Sequence, residues 1–263
     1  FADHMKKEVN LRTKELANSN TKLEAMNKEL QSFAYISSHD LQEPLRKIQM
    51  FSEILLDKEY NKLSDSGKVK FKKIQSAANR MQSLINDLLS YSRTDTEERV
   101  FEVIDLQNLV DDVKSDLSEE LKKKDGKITL QQSRELEVVP FQFRQLMYNL
   151  LSNAVKYSRS DVPPVVTIET EIITNAKTFD SSLINKKEYV KITITDNGIG
   201  FEEHFSKKIF EVFQRLHTKQ EYVGTGIGLA IVKKIVKNHS GFISATGELN
   251  KGSIFTVIIP KEK

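Results

Sequence analysis

The chain has 263 residues, enough for one large domain or two small ones. Its 40 basic and 37 acidic residues leave a net charge of +3, which gives no electrostatic case for a nucleic-acid or membrane partner. It has no cysteine, which excludes disulfides, zinc-thiolate sites and thiol catalysis. No apolar run approaches the ~18 residues of a membrane span, and no signal peptide is visible, which fits a cytoplasmic protein.

Phe1-Ala2-Asp3-His4-Met5 reads as an expression remnant before an internal methionine, so His4 carries no functional expectation. Val9, Leu16, Leu23 and Leu30 then repeat every seven residues, with Met26 and Phe33 at the companion offset. The companion seam is partly polar at Arg12 and Ser19. Residues 1–30 are therefore either a weak coiled coil, hence a parallel dimer with something attached upstream, or a solvated amphipathic helix.

Helix continues from about residue 31 to 58 through Ser37-Ser38-His39-Asp40-Leu41-Gln42-Glu43-Pro44-Leu45-Arg46-Lys47. At ~100° per residue, Leu41, Leu45, Ile48 and Leu55 share one side, and His39, Glu43 and Arg46 the other. His39 is then either a solvated surface histidine or one that another group must reach. Pro44 removes an amide from the ladder and predicts a local loosening beside it. A turn over residues 59–67, capped by Ser64 or Asp65, leads to a helix with Phe71, Ile74, Ala78, Met81, Leu84, Ile85, Leu88 and Leu89 on one stripe. One hairpin buries both stripes poorly, whereas two make a four-helix bundle.

Residues 94–99 are polar and mark a domain boundary. Beyond it the pattern predicts a strand at 100–104, a helix at 105–124 closed by Asp125-Gly126, and short strands at 127–130 and 137–139. Pro140 opens a helix to about Tyr157. Strands follow at 165–173 and 189–195, with a polar loop at 174–188 between them. A helix at 227–238 and a closing antiparallel pair, 241–246 with 252–259, complete an α/β sandwich with one mixed sheet under a layer of helices.

Four groups of residues in this second domain carry chemistry. On the helix after Pro140, Asn149, Asn153, Lys156 and Tyr157 share a face. Two amides one turn apart offer oxygens to a hard cation such as magnesium, and Lys156 adds a charge for phosphate. Asp196-Asn197-Gly198-Ile199-Gly200 follows a strand, with a carboxylate to accept from an exocyclic amine and glycines that let backbone approach a flat ring. Ile209-Phe210-Glu211-Val212-Phe213-Gln214-Arg215 holds two aromatics that could anchor a mobile segment or simply fill core. Gly224-Thr225-Gly226-Ile227-Gly228-Leu229 opens a helix whose first amides make an anion site. Its spacing is not that of a P-loop, and its place near the chain end does not suit a Rossmann fold.

In this order the motifs resemble those of a two-component sensor histidine kinase: the H box at His39, the N box from Asn149 to Lys156, glycine boxes at 196–200 and 224–229, and the F box at 209–213. The resemblance covers about Gln31 to Pro260, and the form of the H box is similar to kinases downstream of PAS or phytochrome-type sensors. It implies a helical dimerisation and histidine phosphotransfer domain over 31–95, forming a dimeric four-helix bundle. An α/β ATP-binding domain of the Bergerat (GHKL) type, as in gyrase and MutL, would occupy 96–263. It implies transfer of the γ-phosphoryl of ATP to His39 and thence to a response-regulator aspartate. Asp40 would hold the opposite ring N–H, Asn153 would hold Mg2+ with Asn149 in support, and Lys156 and Gly224 to Leu229 would hold phosphates. Asp196 would read the adenine amine, and residues 204–225 would form a lid with Arg215 a phosphate contact. His204, His217 and His239 match no motif and read as surface or lid residues. One departure stands out. Many relatives carry Thr or Asn four residues after the histidine to position water for dephosphorylation, but this chain has Glu43, which puts phosphatase activity in doubt. A Bergerat ATPase working as a clamp, and a scaffold without catalysis, are the competing readings. The phosphoacceptor stretch argues against the first, and intact Asn153, Asp196 and glycine boxes against the second.

Overall fold

The computed structural model describes residues 2–59, 62–96, 99–174, 188–216 and 224–262. The side chains of His39 and of the heptad residues Leu23, Met26, Leu30 and Phe33 lie outside the described residues. The chain divides into two compact units, Phe1–Ser92 and Arg93–Lys263.

The first unit is a helical hairpin. Helix α1 (Ala2–Glu59) runs unbroken through Pro44, and α2 (Asp65–Thr96) returns. Ser64 caps α2: its Oγ accepts the Gly67 N–H at 3.1 Å. Between the helices Leu45, Ala78 and Ile85 are buried, with Leu89 packed against them. Amide pairs flank this core, Gln42 donating to Asn86 (3.2 Å) and Gln49 to Asn79 (2.8 Å). Of the predicted inward stripe, only Leu45 is buried; Leu41 (54 % exposed), Ile48 and Leu55 remain open, as do Phe51 (58 %), Ile74 and Met81. Two helices side by side cover only the apolar arc where they touch, so the rest of each stripe faces outward in the single chain. Val9 and Leu16, the described residues of the heptad seam, are exposed as well.

The second unit stacks helices on a sheet. Strands β2 (Lys127–Leu130), β4 (Val165–Ile173), β5 (Tyr189–Asp196), β7 (Gly252–Pro260) and β6 (Phe242–Glu248) lie in that order. The β2–β4 pair is parallel and the others are antiparallel. The expected single sheet is in fact two. Strand β1 (Glu102–Asp105) pairs antiparallel with β3 (Glu135–Val138) as a separate ribbon. The ribbon is held at its end by Asp105, which accepts from Gln107 N (2.8 Å) and from the Ser133 hydroxyl. The single helix expected over 105–124 is also two, α3 (Leu106–Asp116) and α4 (Ser118–Lys124). The break falls at Leu117, which is buried and returns its N–H to Val113 O at 3.1 Å.

Helices α5 (Pro140–Lys156) and α6 (Gly228–Asn238) cover the sheet. Their buried stripes are Phe143, Leu146, Met147, Leu150 and Leu151 on α5 and Ile231, Val232, Ile235 and Val236 on α6, and Ile168, Ile192, Ile194, Val257 and Ile259 of the sheet are buried as well. His239 is a correction to the surface reading: it is 4 % exposed. Its Nε2 accepts the Val139 N–H at 3.0 Å, its Nδ1 lies 2.8 Å from Ile235 O, and its ring meets Phe101 and Phe143 edge-on. Both ring nitrogens are engaged, so the imidazole fits the core as a neutral tautomer. The Thr94 carbonyl accepts from Gln142 (3.2 Å) and Asn238 (2.8 Å), fastening the start of this unit to α5 and α6.

Candidate functional site

Helix α5 supplies the first wall of the site. Pro140 occupies its first turn, where a missing N–H is harmless, and Lys156 its last. With the apolar stripe committed to the sheet, Asn149, Asn153, Lys156 and Tyr157 are all left half-buried on the remaining face. The Asn149 Nδ2 is buried without a hydrogen-bond partner. Lys156 Nζ donates to Tyr157 Oη at 3.2 Å and lies 4.6 Å from its ring centroid.

The end of β5 supplies the second wall. Asp196 Oδ1 accepts the Gly198 N–H at 2.8 Å, closing a tight turn, and the Ser253 N–H at 3.2 Å. Ser253 is the residue opposite Asp196 in the β5–β7 register. Burial pushes the Asp196 carboxyl above the ordinary carboxylate range, opposed by the two N–H donors and the Ser253 hydroxyl. Gly200 has φ 63°, and a Cβ there would lie 2.0 Å from Glu248 O, so backbone contact leaves no room for another residue. Asn197 works on the outside of the turn, accepting from Val165 N (2.8 Å) and donating to Pro163 O (3.0 Å).

Between these walls lies a cavity of ≈ 100 Å³, lined by Asn153, Ala154, Tyr157, Asp196, Ile199, Gly200, Phe201, Ile209, Gln214, Arg215, Leu216, Leu229, Ser253 and Phe255. It is apolar in the main, with a few polar groups, the composition of a site for a flat ring with a polar edge. Of the expected residues, Asn153, Tyr157, Asp196, Gly200, Arg215 and Leu229 come together on its wall. Asn149, Lys156, Gly198, Phe210, Phe213, Gly224, Thr225, Gly226 and Gly228 do not line it. Phe210 is buried against Phe255, rings at 88° and 6.5 Å, and so underpins the wall. Phe213 is 63 % exposed with φ 66°, so among the described residues it is not part of the core.

The second glycine stretch stands beside this cavity. A Cβ on Gly224 would lie 2.4 Å from the Lys156 ammonium, and one on Gly228 3.3 Å from Asn149 Oδ1. Gly226 (φ 78°) backs onto the Phe213–Gln214 backbone. Thr225 Oγ1 accepts the Ile227 N–H at 3.3 Å, and α6 then starts without a side-chain cap. The described part of the lid segment contains two 3-10 turns, 203–205 and 208–210, with His204 on the surface against Glu202 at 3.2 Å. Residues 217–223, with His217, and most of the 174–188 loop lie outside the described residues.

Ser253, Phe201 and Phe255 are wall residues that the motifs did not indicate. Ser253 is found only through strand pairing with Asp196. Among the described residues no cluster of three or more His, Cys, Asp or Glu could hold a metal ion. The amides of Asn149 and Asn153 are the hard-oxygen donors available. The Asn149 Nδ2 has no hydrogen-bond partner, so this amide is not committed elsewhere, and the pair fits a magnesium ion that keeps most of its water and phosphate ligands.

Residues 29–97 match the family model of the His Kinase A phospho-acceptor domain, and residues 138–263 that of the histidine kinase-, DNA gyrase B- and HSP90-like ATPases. A phospho-acceptor domain followed by an ATP-binding domain defines a protein histidine kinase. Cyanobacterial phytochrome A of a Nostoc species is 36 % identical over 94 % of this chain and 30 % of its own length. Phytochrome-like protein Cph1 of a Synechocystis species is 33 % identical over 94 % and 31 %. Full-length ShkA, solved with AMPPNP, shares the fold at a TM-score of 0.64 and 22 % identity, covering 88 % of this chain and 46 % of that one. The chain belongs to the two-component sensor histidine kinases, of which it holds the kinase core. It spans about a third of the length of the curated relatives it matches. Among the described residues no helix is long and apolar enough to cross a membrane.

Proposed function

We propose that this kinase core transfers the γ-phosphoryl group of ATP to His39 and passes it on to an aspartate of a response-regulator receiver domain. The observation that carries the nucleotide half is the half-buried Asp196 carboxylate, held by Gly198 and Ser253 on the wall of a mainly apolar cavity. An adenine ring fits such a slot, with its exocyclic amine donating to Asp196. Arg215 and Lys156 supply positive charge for the phosphates, and the uncapped start of α6 supplies N–H groups. When bound, Mg2+ neutralises phosphate oxygens; Asn153, with Asn149 behind it, would hold it.

The acceptor half rests on His39 within α1, followed directly by Asp40. A neutral imidazole attacks the γ-phosphorus with its free nitrogen lone pair. An N–P bond forms, the P–O bond to ADP breaks, and the other ring N–H is held by Asp40. A second copy of the chain would cover the open Leu41, Ile48, Phe51 and Leu55 and complete a four-helix bundle. The phytochrome relatives favour an upstream light- or PAS-type sensor in the full protein.

Glu43 pairs with Lys47 at 2.9 Å on the exposed side of α1. A carboxylate here repels an aspartyl phosphate and places its water differently, which puts phosphatase activity in doubt. Glu43→Thr should raise the dephosphorylation rate of a phosphorylated receiver domain, and an unchanged rate would remove Glu43 from that role. The core assignment is tested by incubating wild type and His39→Gln with ATP and magnesium. Acid-labile phosphate should appear on the wild type alone. Undiminished labelling of the variant sinks His39 as acceptor, and ATP binding without labelling of the wild type restores the scaffold reading.

A further inference from the structure

The last carbonyls of an α-helix have no partner within it, and a left-handed glycine commonly takes them up. Helix α5 ends otherwise. Its C-cap, Tyr157, has φ −88° and ψ 25°, and no glycine follows. Its terminal carbonyls are taken instead from two other elements. Lys124 Nζ, from the end of α4, lies 2.7 Å from Val155 O, 3.5 Å from Lys156 O and 2.9 Å from the Oγ of the buried Ser158. The Ile199 N–H reaches Tyr157 O at 3.0 Å.

Lys124 is itself fixed. Asp125 turns left-handed (φ 52°, ψ 39°), Gly126 N–H returns to Leu121 O at 2.8 Å, and Lys127 N–H bonds Pro164 O at 2.8 Å as β2 begins. Of the three lysines ending α4, Lys124 alone is shown reaching α5.

We propose that Lys124 is a positioning residue for the phosphate side of the nucleotide site. It holds the turn that presents Lys156 and Tyr157, the pair that stands against Gly224. It also cancels the partial negative charge of the helix C-terminus at the place where phosphates must approach. This role rests on the ATP-site reading given above.

The test uses the whole chain with Lys124→Met and Lys124→Arg, titrated with ATP, ADP and adenosine. Loss of the ammonium should weaken ATP and ADP roughly tenfold, the lower end of what a charged hydrogen bond is worth. Adenosine, held on the Asp196 side, should change less than about twofold. Lys124→Arg should recover most of the ATP affinity. In autophosphorylation the KM for ATP should rise in Lys124→Met while kcat holds. Equal losses for ATP and adenosine would mark Lys124 as merely structural, and an unchanged ATP affinity would refute the role. Wild type that binds no ATP would overturn the nucleotide site itself and this role with it.

Discussion

Replacing Asp196 by Asn is the sharpest probe of the nucleotide site, because the change leaves the turn intact and reverses one polarity. The Asn oxygen can occupy the place of Oδ1 and keep the N–H groups of Gly198 (2.8 Å) and Ser253 (3.2 Å). The other end of the side chain becomes an NH2 and faces the adenine amine donor to donor. A hydrogen bond to a charged acceptor is worth about 1.5–3 kcal/mol, so ATP should bind roughly ten to a hundred and fifty times more weakly. Stability should move the other way. Burial raises the Asp196 pKa above its unfolded value, so the folded state keeps a proton over an interval in which the unfolded state has lost it. Stability therefore falls as pH rises through that interval, and at neutral pH the half-buried charge is a standing cost. Asn carries no such charge, so the nucleotide-free variant should melt no lower than wild type at pH 7. Calorimetric titration with ATP and a melt without it check both halves. ATP affinity within twofold of wild type would refute the carboxylate as the adenine contact, and a large drop in melting temperature would make it a structural residue.

Two further substitutions test the frame around the site. His239→Phe keeps a ring between Phe101 and Phe143 but removes the acceptor for Val139 N–H. A buried donor left unpaired costs about 1–3 kcal/mol, so at about 2–4 °C per kcal/mol the ATP-binding unit should melt roughly 2–12 °C lower, and an unchanged melt would count against the bond. Gly200→Ala sets a Cβ against Glu248 O at a φ of 63° and should cost at least about 2 kcal/mol in urea unfolding and abolish ATP binding, whereas Gly228→Ala meets only the movable Asn149 side chain and should fold normally.

The elements that could be read from the sequence are those with a repeated pattern. Helices α2, α5 and α6 show three-and-four spacing, and β4 and β5 carry β-branched runs bounded by turns. The β1–β3 ribbon is not legible as a sheet of its own because its strands are four residues each, Glu-Val-Ile-Asp and Glu-Leu-Glu-Val, too short for a periodic pattern to assign their partners. Leu117 gave no warning of a helix break, since neither Gly nor Pro marks it. His239 follows Asn238 and precedes Ser240-Gly241, which reads as a polar helix end; only the distant Phe101, Phe143 and Val139 make it core. Asp196, Asn153 and Gly200, which come together on one cavity wall, could be singled out because their chemistry lies in their type. Lys124, Asn197 and Ser253 could not, because each acts through a contact set by the tertiary fold.

Ser253 shows what that dependence entails. Its N–H reaches Asp196 only because β7 pairs with β5 in one register, Asp196 opposite Ser253. A slip of one residue would withdraw that donor and also turn Phe255, Val257 and Ile259 away from the helices. The apolar alternation of β7 thus protects the polar contact at its first turn. The tip of the β6–β7 hairpin adds a second safeguard. Asn250 adopts φ 62°, its N–H bonds Ile199 O at 2.7 Å, and its carbonyl accepts from Arg159 at 2.9 Å. Gly252, at φ 120°, lets the chain pass so close to Asp196 that a Cβ would fall 1.8 Å from its carbonyl oxygen. The turn therefore ties the hairpin to the first glycine stretch on one side and to the end of α5 on the other. The Asp196 carboxylate is held in place by core packing several residues away, and the hydrophobic register of β7 is as much a part of the candidate site as the carboxylate.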